Sequence, residues 1–341
     1  MLFRSNSKEY VVTLVKLYFN ENYHYKIENE FEYASPKEVK IIVPTLVELL
    51  DSQDFKIRKA AVKLLRIMRE DSSVAIDKLV SMLTQKENKE IFADIYGTLS
   101  RIGNKSIHPL GKLLKTSDKE TKLSVMKTFV LIKWRHFSVF NKKRIYMVDY
   151  ISEAKQYVVP EIDNSDMEVK KCAYDCITYL GLKEDDDNLK SRLINDIRYG
   201  LPEIRPKALE ALIFSMPKPE TKAKYVIEAF KSDDVEMQIA AAFCIKQIKS
   251  ESNVDIKEAI PYLIEMLNKK KINSGEIEKN VIHGRQVSFD KVDKPRIEAA
   301  LALWYMGNVT KSATPSLIKM LKDESKAIRQ VAAEALGNVD S

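Results

Sequence analysis

Glycine and proline are scarce: nine and eleven in 341 residues, which argues against many strands and tight turns. Cysteine is scarcer still. Cys172, Cys176 and Cys244 build no disulfide framework and suit a reducing compartment. No stretch approaches the roughly 18 apolar residues of a membrane span. The N-terminal apolar run from Val11 to Phe19 is broken by Lys16, with no small-residue cleavage site after it, so a signal peptide is not expected and the cytoplasm is the expected location. The sequence has no G-x4-G-K-[ST] loop, no G-x-S-x-G elbow and no G-x-G-x-x-G. His24, His108, His136 and His283 are scattered. These absences predict no catalytic residues, no metal site and no cofactor.

What remains is helical in composition. Hydrophobic residues make up 45% of the chain, enough for one elongated domain or two compact ones. Thr314–Val339 reads as two short helices around a turn. Pro315 opens the first, where a missing N–H is harmless, and Leu317, Ile318 and Leu321 form its apolar stripe. Asp323 and Ser325 suit the turn. Ile328, Val331, Ala332, Ala335 and Leu336 line the second helix, which Gly337 is expected to end.

Weaker copies run back through the chain. Aligned on the position of Arg329, they fall at Arg58, Phe92, Lys122, Lys170, Arg205, Gln238 and Arg296, at intervals of 34, 30, 48, 35, 33, 58 and 33 residues. Three residues after this anchor stand Ala61, Ala173, Ala208, Ala241, Ala299 and Ala332. Seven after it the residue is always apolar, from Leu65 and Leu99 through Phe129 and Ile177 to Leu336. Small columns mark close helix approach and large columns fill the seam. A single hairpin cannot bury its own apolar face, so the copies must stack.

The last copy resembles a HEAT repeat, of the HEAT-like kind found in phycobilisome lyases. Asp323, Ile328, Arg329, Ala332, Ala333, Ala335, Leu336 and Gly337 carry the likeness. The resemblance implies an all-α fold, a right-handed α-solenoid of about eight antiparallel helix pairs whose second helices line a concave face. Residues 36–341 would form this armadillo-like solenoid, and residues 1–35 a helical cap that uses an Asn6-x-x-Glu9 capping box and an irregular acidic connection over 21–34. Ser35-x-x-Glu38 is a second capping box. The long intervals place insertions at about 134–154, between two pairs, and about 268–294, within a pair. The two should emerge on opposite edges, as specificity loops or as tolerated surface loops. Acids at Glu184–Asp187 precede a helix expected near Asn188, where they meet its N-terminus favourably. No histidine is followed by glutamate, so the paired His-Glu iron motif of the HEAT-repeat deoxyhypusine hydroxylases is absent.

The net charge of +7 is concentrated: residues 101–148 sum to +10 and the remainder to −3. Lys119, Lys122 and Lys133 follow helical spacing, and Trp134, Arg135, Lys142, Lys143 and Arg144 add cations among aromatics. This is the expected partner-binding segment. Its occupant is an acidic protein surface or, alternatively, nucleic acid. In the plainest reading the aromatics pack the insertion and the lysines only solvate it. The favoured function is a non-enzymatic scaffold or adaptor binding a protein through the concave face and the insertions. Two other readings follow the family likeness alone, a DNA-glycosylase-like groove and a lyase-type chaperone that holds a cofactor or its carrier.

Overall fold

In a computed structural model, residues 7–115, 118–139, 147–181, 186–216, 219–251, 254–269, 275–282 and 285–339 are described, without side chains at 133–139, 147–152, 219–220, 250–251, 281 and 285. The chain divides into two compact units, Met1–Cys176 and Ile177–Ser341. Each is a stack of helix pairs.

In the first unit the opening helices of the pairs are α1 (Lys8–Leu17), α3 (Pro36–Leu49), α5 (Ile76–Met82), α7 (Ile107–Leu114) and α9 (Met147–Val158). Their second helices are α2 (His24–Glu32), α4 (Phe55–Met68), α6 (Phe92–Ile102), α8 (Lys119–Val139) and α10 (Met167–Leu180), the last running across the division. The second unit continues with α11 (Asp187–Tyr199), α12 (Arg205–Ser215), α13 (Pro219–Phe230), α14 (Val235–Glu251), α15 (Ile260–Asn268), α16 (Lys294–Met306), α17 (Thr314–Met320) and α18 (Lys326–Val339). Second helices pack on second helices: α2 on α4, α4 on α6 and α6 on α8 in one unit, and α12, α14, α16 and α18 successively in the other.

All eight anchor positions fall at or near the start of a second helix, and the columns behave as their residue types require. Ala61, Ala173, Ala208, Ala241, Ala299 and Ala332 are wholly buried, as are Leu65, Leu99, Phe129, Ile177, Leu212, Ile245 and Leu303. Burying each of these large side chains contributes roughly 1.5–3 kcal/mol. Leu336, in the same column, is half-buried. Six residues after the anchor lies a second column, small everywhere but Leu64, where a short side chain can bond the backbone of the neighbouring helix. Thr98 Oγ1 donates to the Val62 carbonyl at 3.0 Å, and Cys176 Sγ to the Met126 carbonyl at 3.5 Å. Cys244 occupies the same column, fully buried, and burial holds its thiol well above the ordinary pKa.

Where the anchor side chain is long and polar it ties a pair to its own turn or to the next pair. Arg58 Nη1 donates to the carbonyls of Ser52 and Gln53 at 2.8 and 3.2 Å. Arg329 Nη1 does the same for Asp323 and Glu324 at 2.7 and 2.8 Å, and Gln238 Nε2 for Ser232 at 2.8 Å. These carbonyls would otherwise be orphaned at the end of the first helix. Reaching forward, Arg58 Nε bonds Asn88 at 3.2 Å, Lys122 bonds Glu161 at 2.8 Å, and Arg296 Nη2 bonds Asp323 at 2.6 Å.

Several expectations need correction. Residues 21–34 are not irregular, because His24–Glu32 forms α2, whose buried Ile27 and Phe31 sit one turn apart. The first N-cap is Ser7, accepting from the Tyr10 N–H; Asn6, the cap expected from the spacing, lies outside the described residues. The Ser35–Glu38 box forms as the spacing predicts. Gly337 does not end α18, which continues to the buried Val339. At 134–154 part of the extra length continues α8 as far as Val139, and α9 begins by Met147; positions 140–146 lie outside the described residues.

The 268–294 insertion holds a two-stranded antiparallel hairpin, β1 (Ile277–Ile282) and β2 (Arg285–Asp290), with Ile282 opposite Arg285. Alternation explains it: Ile282, Val287 and Phe289 are buried while Ile277 is exposed. The link at 283–284, including His283, lies outside the described residues.

Candidate functional site

The alignment that defines the core also defines what the second helices leave open. Positions five and nine after the anchor point away from the packed columns. In the first unit they hold Lys63 and Ile67, Gly97 and Arg101, and Lys127 and Leu131; in the second, Glu210 and Phe214, Phe243 and Gln247, and Leu301 and Tyr305. None of these residues is buried.

The second unit gathers aromatics on this face. Phe243 is 40% exposed and stacks on Phe214 across the α12–α14 seam, with centroids 5.4 Å apart and planes at 19°. Lys246, one turn further along α14, lies 5.7 Å from the centre of the Tyr305 ring on α16. Trp304 meets Tyr305 edge-on at 4.7 Å. Aromatic rings and a cation left on one open face are the residue types that carry binding energy at protein interfaces. Reading charge density along the sequence misses this row, because neither Phe214 nor Phe243 sits in a charged or biased stretch. Only the five-and-nine register finds it.

Next to this face, Glu298 on α16 is 6% exposed and forms no hydrogen bond or ion pair with the described residues. Burial raises its pKa to about 7; Lys294 and Lys246 oppose the shift, and Glu278 and Glu210 reinforce it.

The residues expected to bind a partner separate into three groups. Lys122 is largely buried, bonded to both oxygens of Glu161 at 2.8 and 2.9 Å, with Asn164 donating to the same carboxylate at 2.7 Å. Lys119 pairs with Glu168 and, at 3.2 Å, with Asp166. Its hydrogen bonds to these two carboxylates raise the lysine's pKa. Both lysines therefore serve internal ties. Lys133, Trp134 and Arg135 lie on the last turns of α8, where only the backbone is described. Lys142, Lys143 and Arg144 lie outside the described residues.

Catalytic groupings are not assembled among the described residues. His24 Nδ1 faces the Tyr18 carbonyl at 3.0 Å and His108 is bonded to Tyr157. Among the described residues no group of three or more His, Cys, Asp or Glu could hold a metal ion, and no helix is long and apolar enough to cross a membrane.

Stacked helix pairs with an open second-helix layer define an α-solenoid, a fold that typically serves binding rather than catalysis. The HEAT repeat family model matches residues 313–340, the last helix pair of the solenoid. A search of curated proteins finds no match. Among solved structures, the karyopherin Kap121p, bound to the extreme C-terminus of the protein phosphatase Cdc14p, aligns with TM-score 0.55 at 11% identity, over 97% of this chain and 37% of its own. That likeness is one of fold. Two engineered proteins also align, one at 17% identity over 99% of this chain and 100% of its own (TM-score 0.38), the other at 19% over 87% and 96% (TM-score 0.32).

Proposed function

We propose that this chain is a non-enzymatic scaffold or adaptor whose second-helix face, the concave face of such solenoids, grips a protein partner in the cytoplasm. The observation that carries the reading is the open row of Phe214, Phe243, Lys246 and Tyr305. Rigid rings lose little entropy on binding, and among the described residues Phe243 stays exposed while Phe214 and Tyr305 are only half-buried. Kap121p, which holds a segment of another protein on a similar fold, is consistent with this use.

The basic stretch belongs to the proposal as a second contact. Lys133, Trp134, Arg135, Lys142, Lys143 and Arg144 would meet an acidic region of the same partner, while Lys119 and Lys122 stay in their internal pairs.

The test begins with proteins retained from the native organism's lysate, identified by mass spectrometry and then purified for direct titration. Phe243→Ala combined with Lys246→Glu should weaken binding at least tenfold, and glutamate at 142, 143 and 144 should weaken it in a salt-dependent way. A partner bound equally by wild type and by both variants refutes the reading. Nucleic acid is the alternative occupant of the basic stretch. Binding of DNA or RNA at about 50 mM salt that fades steeply as salt rises would replace the protein partner there.

A further inference from the structure

The second-helix face of the first unit carries a different feature. Between α2, α4 and α6 lies a cleft of about 460 Å³, within the roughly 300–1,000 Å³ range of small-ligand sites. Four cations reach it: Lys63 and Arg66 from α4, Arg69 from the residue that follows it, and Arg101 from the last turn of α6. The carboxylates that share the cleft are already occupied. Glu28 accepts the Tyr18 hydroxyl at 2.8 Å and lies 3.4 Å from His24 Nε2, and Glu32 pairs with Arg69 at 3.2 Å. Asp94 of α6 acts on Tyr18 from nearby and is the remaining acid of the neighbourhood.

Lys63, Arg66 and Arg101 are left over. All three are half-buried, and none forms a hydrogen bond or ion pair with the described residues. Burial, then the neighbouring Arg66 and Arg69, pushes the Arg101 pKa down, while Glu32 and Glu28 oppose the shift. Arg66 lies over α6 at Gly97, where a Cβ would stand in ordinary contact with its guanidinium, 3.5–3.8 Å from Nη1, Cζ and Nε. Arg69 takes φ +52°, a left-handed turn that costs a non-glycine residue on the order of 1 kcal/mol and sets its side chain over the cleft beside Glu32. Half-buried guanidinium groups whose nearby carboxylates, Glu28 and Glu32, are bonded to other side chains leave their donors open to an added anion.

We propose that this cleft binds a phosphate monoester, its dianion received by Arg66, Arg101 and Lys63. Two unpaired forks and an ammonium supply donors from two helices, which suits a tetrahedral group with three terminal oxygens better than a flat carboxylate. The site is independent of the aromatic row and lies within the first unit alone.

Isothermal titration of the full chain with O-phosphoserine, with a phosphoserine peptide, and with the peptide's unphosphorylated twin tests this. Saturable binding of a phosphorylated probe is expected, weakened at least tenfold by Arg66→Gln with Arg101→Gln. Lys37→Gln with Lys40→Gln, an equal loss of charge on exposed positions of α3, should leave it intact. Gly97→Leu, which fills the floor without removing charge, should also weaken binding, and it keeps the question answerable if the arginine variant fails to fold. A peptide that binds much more tightly than O-phosphoserine, and only when phosphorylated, assigns the phosphate to a protein side chain; equal affinity assigns it to a small ester. No saturable binding, or equal loss in the arginine and lysine variants, overturns the proposal.

Discussion

Replacing Glu298 with glutamine should stabilise the second unit at pH 8 and change little at pH 4.5. The carboxyl is buried without a hydrogen bond, and its pKa rises from 4.5 to about 7. A gap of about 2.5 units corresponds to about 3 kcal/mol. Below about pH 4.5 the group is protonated in folded and unfolded chains alike and the penalty vanishes. Between 4.5 and 7 the unfolded chain releases its proton while the folded one keeps it, so stability falls as pH rises. Above about 7 the whole penalty is present. Glutamine removes the charge but must still bury an amide, so the expected gain at pH 8 is about 1–3 kcal/mol. For a unit of this size that raises the melting temperature by roughly 2–10 °C. Urea unfolding of wild type and variant at pH 5, 6, 7 and 8 reads the difference directly, and titrations common to both proteins cancel. A difference that stays flat across this range, or that grows toward acid, refutes the reasoning.

Glu161→Gln should cost roughly 3 kcal/mol, because it strands the largely buried Lys122. Urea unfolding measures it, and Lys122→Met added to Glu161→Leu should recover much of the loss. Gly111→Ala should destabilise by about 1–2 kcal/mol in the same assay despite alanine's better helix propensity, because its Cβ would stand 2.3 Å from the buried Tyr157 ring. Phe243→Ala alone should shift stability by less than about 1.5 kcal/mol, the value of one aromatic pair, and its effect should appear in partner titration instead.

The solenoid is legible in the sequence because its core columns repeat. Alanines three residues after the anchor and apolar side chains seven after it are fixed by the distance between neighbouring helices, and a fixed distance leaves a periodic mark. Elements outside the repeat leave weaker marks. Helix α2 is hidden by the acidic and aromatic composition of 21–34, although Ile27 and Phe31 stand four apart. The hairpin is written in the alternation of Val287 and Phe289 with Gln286 and Ser288, which a search for helical periods passes over. Gly337 has the residue type of a stop, but α18 runs on through it to Val339, whereas Gly103 and Gly307 end their helices with positive φ. Lys122 shows how counting charge misleads. It stands in the anchor column, where a long polar side chain fastens one pair to the next, so its position in the alignment is already an argument for an internal partner.

Core and open columns differ in what can alter them. A change at Ala299 or Leu303 is felt by both neighbouring helices, so packing holds those columns apolar from pair to pair. Five and nine residues after the anchor nothing in the stack imposes a choice, yet the residues are not random. They run to Lys63, Ile67, Gly97, Arg101, Lys127 and Leu131 in the first unit, and to Glu210, Phe214, Phe243, Gln247, Leu301 and Tyr305 in the second. A face free to be uniformly polar that instead holds three cations in one unit and three aromatic rings in the other carries more than the packing requires. The two kinds of column therefore call for opposite experiments. Substitutions in the core columns should cost stability and disturb binding only through unfolding. Substitutions at the open positions should leave the melting temperature nearly unchanged while abolishing binding, of an anion in the first unit and of a protein in the second.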